Sequence, residues 1–433
     1  MKKILIIGNS AAGVSCAEVV RKADKEAKIT IVSKENYPCY SRCLISYFLA
    51  GDIPELKLIY RDQSFFKDNN IELILGQEIE RIDIKKKQAV VVKDEESSEK
   101  GKVKYDYDVL VLANGASSKM PEIKGINKRG VFAFRTVDDA KSIMAILPVA
   151  DTACVLGGGL IGLKAAYALK KRGLDVKVIV KSRQVLSQVL DYEAAEFFKN
   201  LLNEKGIEIV TGSDVKEILG NGDVKAVKLD SGKVIACQIV IVGKGVSPNI
   251  KLIKETPINC KEGILTNEYM QTNIEDIYAC GDIAETYDIA IGETAINALW
   301  PNAIEQGKVA GENICGKQVK YAGSLGMNSV EFFGLPVISM GITRPPEGFE
   351  VMSKSDMKSR AYRKVIIKDN RLVGAILVGR IENSGVYLNL IHEKADISTI
   401  KDLLLTSNFS YPTAIEVLNK GQMTDTTYGT VVT

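Results

Sequence analysis

Two copies of one local pattern, about 150 residues apart, constrain this chain more than any other feature. In each copy an apolar run passes directly into a glycine-rich turn, then a helical stretch, then a second apolar run. The first opens with residues 4–7, turns through Gly8-Asn9-Ser10-Ala11-Ala12-Gly13, continues as a helix over about residues 12–23 and ends in a strand at 29–33. The second opens with residues 153–156, turns through Gly157-Gly158-Gly159-Leu160-Ile161-Gly162, continues as a helix over 161–172 and ends in a strand at 176–180. An unbroken apolar strand is buried on both faces, and strand, helix and strand within about 30 residues make a βαβ unit. Repetition of that unit predicts parallel sheets. With 433 residues the chain exceeds one hydrophobic core, so two or three domains are expected.

Between and beyond the two units the pattern changes. Residues 79–108 read as β-strands with a polar hairpin around 95–102, and residues 107–113 as another buried strand. After about residue 321 the runs look antiparallel, as at 363–368 and 372–378, and a helical tail follows. The expected fold class is α/β: two Rossmann-like dinucleotide-binding domains plus a C-terminal α+β domain.

Composition mainly excludes. Net charge is +3, with acids and bases interspersed, which argues against nucleic acid or an anionic membrane as the main partner. No apolar run approaches the 18 residues of a membrane span, and the apolar start reads as a first strand rather than a signal peptide. Eight cysteines are scattered with no CxxC pair, so no zinc or iron–sulfur site is expected, and a reduced cytoplasmic protein fits. The single histidine, His392, leaves almost no material for a catalytic triad or a histidine-rich metal site. The chemistry must then come largely from bound cofactors.

The turns themselves predict two nucleotide sites. Gly8 permits a tight turn after the strand, and Gly13 lets the following helix pack closely against it. Ser10 replaces the usual middle glycine. The helix N-terminus then faces a pyrophosphate. Glu35, just past the second strand, is the expected acid for ribose hydroxyls. The second turn is a full fingerprint. An acid for an NADH 2′-hydroxyl would stand at the end of the next strand, but Val180 occupies that place and Lys181 and Arg183 follow. Two cations and no carboxylate favour NADP(H) over NAD(H).

Two further segments carry a family resemblance. Thr272-Asn273-Ile274-Glu275-Asp276-Ile277-Tyr278-Ala279-Cys280-Gly281-Asp282 resembles the late FAD motif of two-dinucleotide flavoprotein reductases, with Asp282 at the ribityl-binding position. Val109-Leu110-Val111-Leu112-Ala113-Asn114-Gly115 resembles their ATG strand. Taken in order, the motifs resemble the pyridine nucleotide–disulfide oxidoreductase family over nearly the whole chain. Leu299-Trp300-Pro301-Asn302-Ala303-Ile304-Glu305-Gln306-Gly307-Lys308-Val309-Ala310-Gly311 is most similar to NADH:rubredoxin oxidoreductases, the flavin part of nitrite reductase large subunits, and flavin subunits of anaerobic iron–sulfur enzymes. The resemblance implies FAD and NADP or NAD as cofactors. It implies an FAD domain at 1–118 and 247–320, a nicotinamide domain at 119–246, and an interface domain at 321–433. It extends the FAD-contacting set to Ala11, Ala12, Arg42, Ala113, Asn114, Gly115, Asn302 and Ala303. It extends the nicotinamide set to Gly159, Leu160, Ile161 and Gly243.

Two positions are candidates for chemistry. Tyr40-Ser41-Arg42-Cys43-Leu44-Ile45-Ser46-Tyr47 resembles the branch with one cysteine facing the flavin from a helix start, which would favour thiolate at Cys43. Lys164 stands where relatives often carry glutamate, and is expected near flavin N5 without an acidic partner. The implied activity is hydride transfer from NAD(P)H to the flavin, then electron release to rubredoxin, ferredoxin or an iron–sulfur subunit. The alternatives are reduction of a small disulfide, persulfide or dioxygen through Cys43, and a nucleotide-sensing assembly module. A homodimer and a heteromeric complex are both compatible.

Overall fold

The computed structural model describes residues 1–92 and 102–424. The polar hairpin expected around 95–102 lies outside these residues except for Lys102, which begins strand Lys102–Asp106.

Each repeated unit builds one parallel five-stranded sheet. The first runs Ile277–Ala279, Val109–Leu112, Lys3–Ile7, Lys28–Val32, Ile71–Ile74. The second runs Val131–Ala133, Ile239–Val242, Thr152–Leu156, Asp175–Val180, Ile207–Thr211. In both, the strand that enters the glycine turn lies mid-sheet, flanked on one side by a strand from far along the chain. Burial explains the unbroken apolar runs: Ile4, Leu5 and Ile6, like Cys154, Val155 and Leu156, are almost wholly buried. Each such aliphatic side chain contributes roughly 1.5–3 kcal/mol by leaving water.

Steric exclusion explains the glycines. Gly8 and Gly157 adopt φ of +118° and +115°, a region that side chains rarely enter. A Cβ on Gly8 would overlap the carbonyl oxygen of Ala113, and one on Gly157 that of Gly243. A Cβ on Gly13 or Gly162 would overlap the carbonyl oxygen of Gly8 or Gly157. Both turns thus close a helix onto its strand by backbone contact alone.

The C-terminal strands form an antiparallel sheet, Met327–Phe332, Leu335–Gly341, Arg371–Val378, Ala361–Lys368, Glu350–Asp356. Helices Ser384–His392 and Tyr411–Thr424 cover one face. The opposite side shares a hydrophobic cluster with the second parallel sheet. Phe332, Val337 and Tyr362 join Phe197 and Phe198 of helix Tyr192–Glu204 there. A largely buried ion pair marks the same junction: Lys364 Nζ lies 2.8 Å from Asp191 Oδ2, and Tyr362 donates to the same oxygen at 2.7 Å. The architecture is the expected one, α/β with two Rossmann-like units and a C-terminal α+β unit. Among the described residues no helix is long and apolar enough to cross a membrane.

Candidate functional site

Helix ends locate the site. Helices Gln63–Asp68, Val137–Ile146 and Tyr192–Glu204 begin at Asp62, Thr136 and Asp191, whose side chains accept from backbone N–H groups of the first turn. Helices Ala11–Ala23, Leu160–Lys171 and Trp300–Ile314 begin at Ser10, Gly159 and Leu299 with no side-chain cap. Their first N–H groups remain available, apart from Pro301, which has none, and the helix dipole adds positive potential. Ser10, Ala11, Leu160, Ile161, Leu299 and Trp300 all line one cleft of about 1950 Å³. Three anion-accepting helix ends therefore open on a common cavity.

Close packing brings two of them together. A Cβ on Gly307 would overlap the carbonyl oxygen of Ala12, and one on Gly311 would lie 2.9 Å from that of Cys16. Only glycines allow helices Ala11–Ala23 and Trp300–Ile314 to approach so far. Both glycines belong to the 299–311 segment that carries the family resemblance, and the four-residue spacing that puts them on one face is a readable signal.

The first turn's side of the cleft is polar and partly unsatisfied. Asn9 Oδ1 and Asn114 Oδ1 are buried without a hydrogen-bond partner among the described residues, and both residues line the cleft. Such acceptors call for a ligand rich in hydroxyl or amine donors. FAD, with its ribityl and ribose hydroxyls and its pyrophosphate, fits these oxygens and the uncapped helix end at Ser10.

Glu35 lines the cleft, but its carboxylate is engaged by the Arg42 guanidinium and the Tyr40 hydroxyl. Burial opposes the Arg42 cation, yet Tyr40, Glu35 and Asp282 outweigh it and hold the guanidinium above its ordinary pKa. Arg42 also donates to the carbonyl of Arg135 at 3.1 Å. Arg135 in turn donates to Asp282 Oδ2 at 2.8 Å. Arg135 went unnoticed in the sequence. Its backbone N–H is held at 2.7 Å by Asp139 in the capping box of helix Val137–Ile146, and the Thr-x-x-Asp pattern after it was the available clue.

Ala12, Ala113, Gly115 and Ala303 line the cleft as well. Asn302 does not; its side-chain amide donates to the carbonyls of Asn297 and Leu325, tying the helix end to the start of the C-terminal unit. Gly13, Gly157, Gly159, Gly162 and Gly243 sit behind the surface or outside this cleft, shaping the turns.

Cys43 is exposed and lines the cleft, and its surroundings work against the expected thiolate. Burial raises its pKa above the ordinary thiol value, and the Asp282 carboxylate adds to this; Ser41 opposes them only in part. Nor does a helix end offset the burial. Cys43 lies inside a single 3₁₀ turn, Arg42–Leu44, ahead of the six-residue helix Ile45–Ala50, so no long helix dipole reaches the sulfur. Cys39 is fully buried and its pKa is pushed up to about 12 by burial.

Lys164 also lines the cleft. Its ammonium donates to the carbonyl of Glu331 at 3.1 Å and to the Tyr47 hydroxyl at 3.4 Å, and lies 5.0 Å from the ring centroids of Tyr47 and Phe332. No carboxylate pairs with it among the described residues. It thus joins the second parallel unit, the Cys43 segment and the C-terminal sheet at one edge of the cavity.

In the second turn, a Cβ on Gly159 would meet nothing within 4 Å, leaving backbone open to a pyrophosphate, while one on Gly158 would sit 2.7 Å from Val180 Cγ2. Lys181 and Arg183 are exposed at the end of that strand and do not line the large cleft. An NAD(P) dinucleotide fits this cradle by its uncapped helix end and bare glycine backbone.

Comparison with known proteins agrees. Residues 2–307 match the family described as pyridine nucleotide-disulphide oxidoreductase, and residues 327–395 match the rubredoxin NAD+ reductase C-terminal domain. The chain is 32% identical to nitrite reductase [NAD(P)H] of Bacillus subtilis over 92% of its length, spanning 48%, about half, of that relative. It is 33% identical to an NADH oxidase of Methanocaldococcus jannaschii, covering 87% of each chain. The structure of an NAD-dependent persulfide reductase from A. fulgidus superposes with a TM-score of 0.85 at 28% identity, covering 98% of this chain and 83% of that one. The family binds FAD and NAD(P)H. The chain belongs to the pyridine nucleotide-disulphide oxidoreductase family.

Proposed function

We propose that this protein is an FAD-dependent NAD(P)H oxidoreductase that delivers electrons to a protein acceptor, a rubredoxin, a ferredoxin or an iron–sulfur subunit. Residues 1–118 and 247–320 hold FAD, residues 119–246 hold the nicotinamide nucleotide, and residues 321–433 form the interface unit. The observation that carries this reading is that the first residues of three uncapped helices, Ala11, Leu160 and Trp300, line one cleft.

FAD, when bound, accepts a hydride from the nicotinamide and can release electrons singly, which a nicotinamide cannot. The chain's own groups supply position and charge. Ser10, Ala11 and Ala12 present backbone N–H groups to the FAD pyrophosphate. Asp282, oriented by Arg135, receives ribityl hydroxyl donors, and Glu35 receives ribose hydroxyls after Arg42 and Tyr40 have fixed its place. Leu160 and Ile161 wall the side from which the nicotinamide enters. Lys164 brings positive charge to the cavity edge and favours the anionic reduced flavin. The match of residues 327–395 to the rubredoxin NAD+ reductase C-terminal domain supports a protein acceptor.

A second reading uses Cys43 to reduce a disulfide or persulfide, and its exposure on the cleft favours it. Its raised pKa weighs against it. Anaerobic stopped-flow reduction by NADH and NADPH separates the two. Two-electron bleaching of the flavin, followed by rapid reoxidation by a rubredoxin, supports the leading reading. A long-wavelength thiolate–flavin band that disappears in Cys43→Ser would replace it with the second. No bleaching within seconds would overturn both.

A further inference from the structure

Lys181 has company that its sequence neighbours do not reveal. Gly212 N–H donates to the carbonyl of Ser182 at 3.1 Å, and Ser213 N–H to that of Val180 at 3.2 Å. The end of strand Ile207–Thr211 is thereby stitched to the end of strand Asp175–Val180. The stitch places Asp214 with Oδ2 at 4.0 Å from Lys181 Nζ. Its Oδ1 accepts from Val215 N–H at 2.9 Å and from the Lys244 ammonium. Lys244 directly follows Gly243, whose carbonyl abuts the Gly157 turn. Val180 packs over Gly158 of that same turn. A half-buried carboxylate therefore stands at the corner of the second cradle, 34 residues along the chain (214 − 180) from the position where a dinucleotide fold usually carries its acid.

We propose that Asp214 is a specificity-determining residue for the nicotinamide nucleotide, working against a 2′-phosphate; this rests on the second cradle being the NAD(P) site, as argued above. The charges decide the sign. Lys181 is 82% exposed and Arg183 is exposed, and alone they would attract a phosphate dianion. Asp214 opposes that attraction mainly by competing for the Lys181 ammonium, because the Lys244 ammonium on Oδ1 offsets part of its own repulsion of the dianion. Its Oδ1 is already occupied, whereas Oδ2 accepts no hydrogen bond among the described residues and is free to receive a ribose 2′-hydroxyl. The opposing charges leave the cradle accepting both nucleotides, against the preference for NADP(H) expected from Lys181 and Arg183 alone. Lys244 is the anchor that keeps the carboxylate at this corner.

Calorimetric binding of 2′,5′-ADP and 5′-AMP to the flavin-loaded full chain tests this without turnover. In the wild type the two ligands should bind within about tenfold of each other, and in Asp214→Asn the ratio should move about fivefold to tenfold toward 2′,5′-ADP, less at high salt. Lys181→Gln should loosen 2′,5′-ADP more in the Asp214→Asn background than in the wild type, because competition for the ammonium is gone. A wild type that already favours 2′,5′-ADP by more than about thirtyfold overturns the proposal whatever the fate of the variants. So does an Asp214→Asn ratio that moves by less than about twofold. Binding of neither ligand, in a protein that folds and holds flavin, would instead remove the assignment of the second cradle on which the proposal stands.

Discussion

The two glycine turns are nearly the same object in different company. Their φ angles agree within a few degrees, and in each the same two backbone carbonyls exclude a Cβ at the same two positions. What surrounds them differs. Beyond the first turn's second strand lies a half-buried ladder, Tyr40, Glu35, Arg42, Arg135 and Asp282, joined by hydrogen bonds. Beyond the second's lie exposed Lys181 and Arg183, with one carboxylate borrowed from the loop after a neighbouring strand. The lesson is a division of labour. On the proposed assignment, backbone geometry recognises what all dinucleotides share, and side chains beyond the turn tune how long each ligand stays. A shielded polar ladder suits a cofactor held permanently, whereas solvated charges suit one that enters and leaves each cycle.

The largest effect should come from forcing a Cβ into each turn. Gly8→Ala should cost roughly 3 kcal/mol or more and yield protein without flavin. Gly157→Ala should keep its flavin absorbance and lose reduction by nicotinamide nucleotides. Loss of flavin from Gly157→Ala as well would break the claim that the cradles act separately. Next, exchanging the middle residues should act unequally. Gly159→Ser narrows an open backbone and should weaken nucleotide binding about tenfold, while Ser10→Gly should leave flavin content unchanged.

The Cys43 thiol provides a third test. Because the thiolate is the reactive form and the pKa is raised, alkylation at pH 7 should be slower than for an ordinary thiol and should keep rising past pH 9.0. A rate already at its plateau at neutral pH would restore Cys43 as the redox centre. The smallest effect should come from Lys164→Gln, which removes a cation from the shared cavity edge. The flavin midpoint potential should fall by on the order of 10–30 mV, measured by equilibrium dye titration, and an unchanged potential would show that Lys164 only ties the units together.

Much of this was legible in the linear chain. Burial on both faces demands unbroken apolar runs, and a Cβ cannot occupy Gly8, Gly13, Gly157 or Gly162, so the two cradles announce themselves by residue type. The placement of Cys43 and Lys164 near one cavity also followed from local motifs. Their surroundings did not, because they are assembled from elsewhere: burial and Asp282 for Cys43, and Glu331, Tyr47 and Phe332 for Lys164.

The sequence by itself determined the two parallel sheets, their glycine turns and the family to which they belong, because those features arise from sterics and burial within about 30 residues of chain. Tertiary structure alone decided that Arg135 reaches Asp282 and that the C-terminal sheet shares its core with the second parallel unit. It alone decided that Asp214 meets Lys181. Those contacts are set by how strands pair and units dock, and charge acts through space over a few ångströms with no regard for separation along the chain.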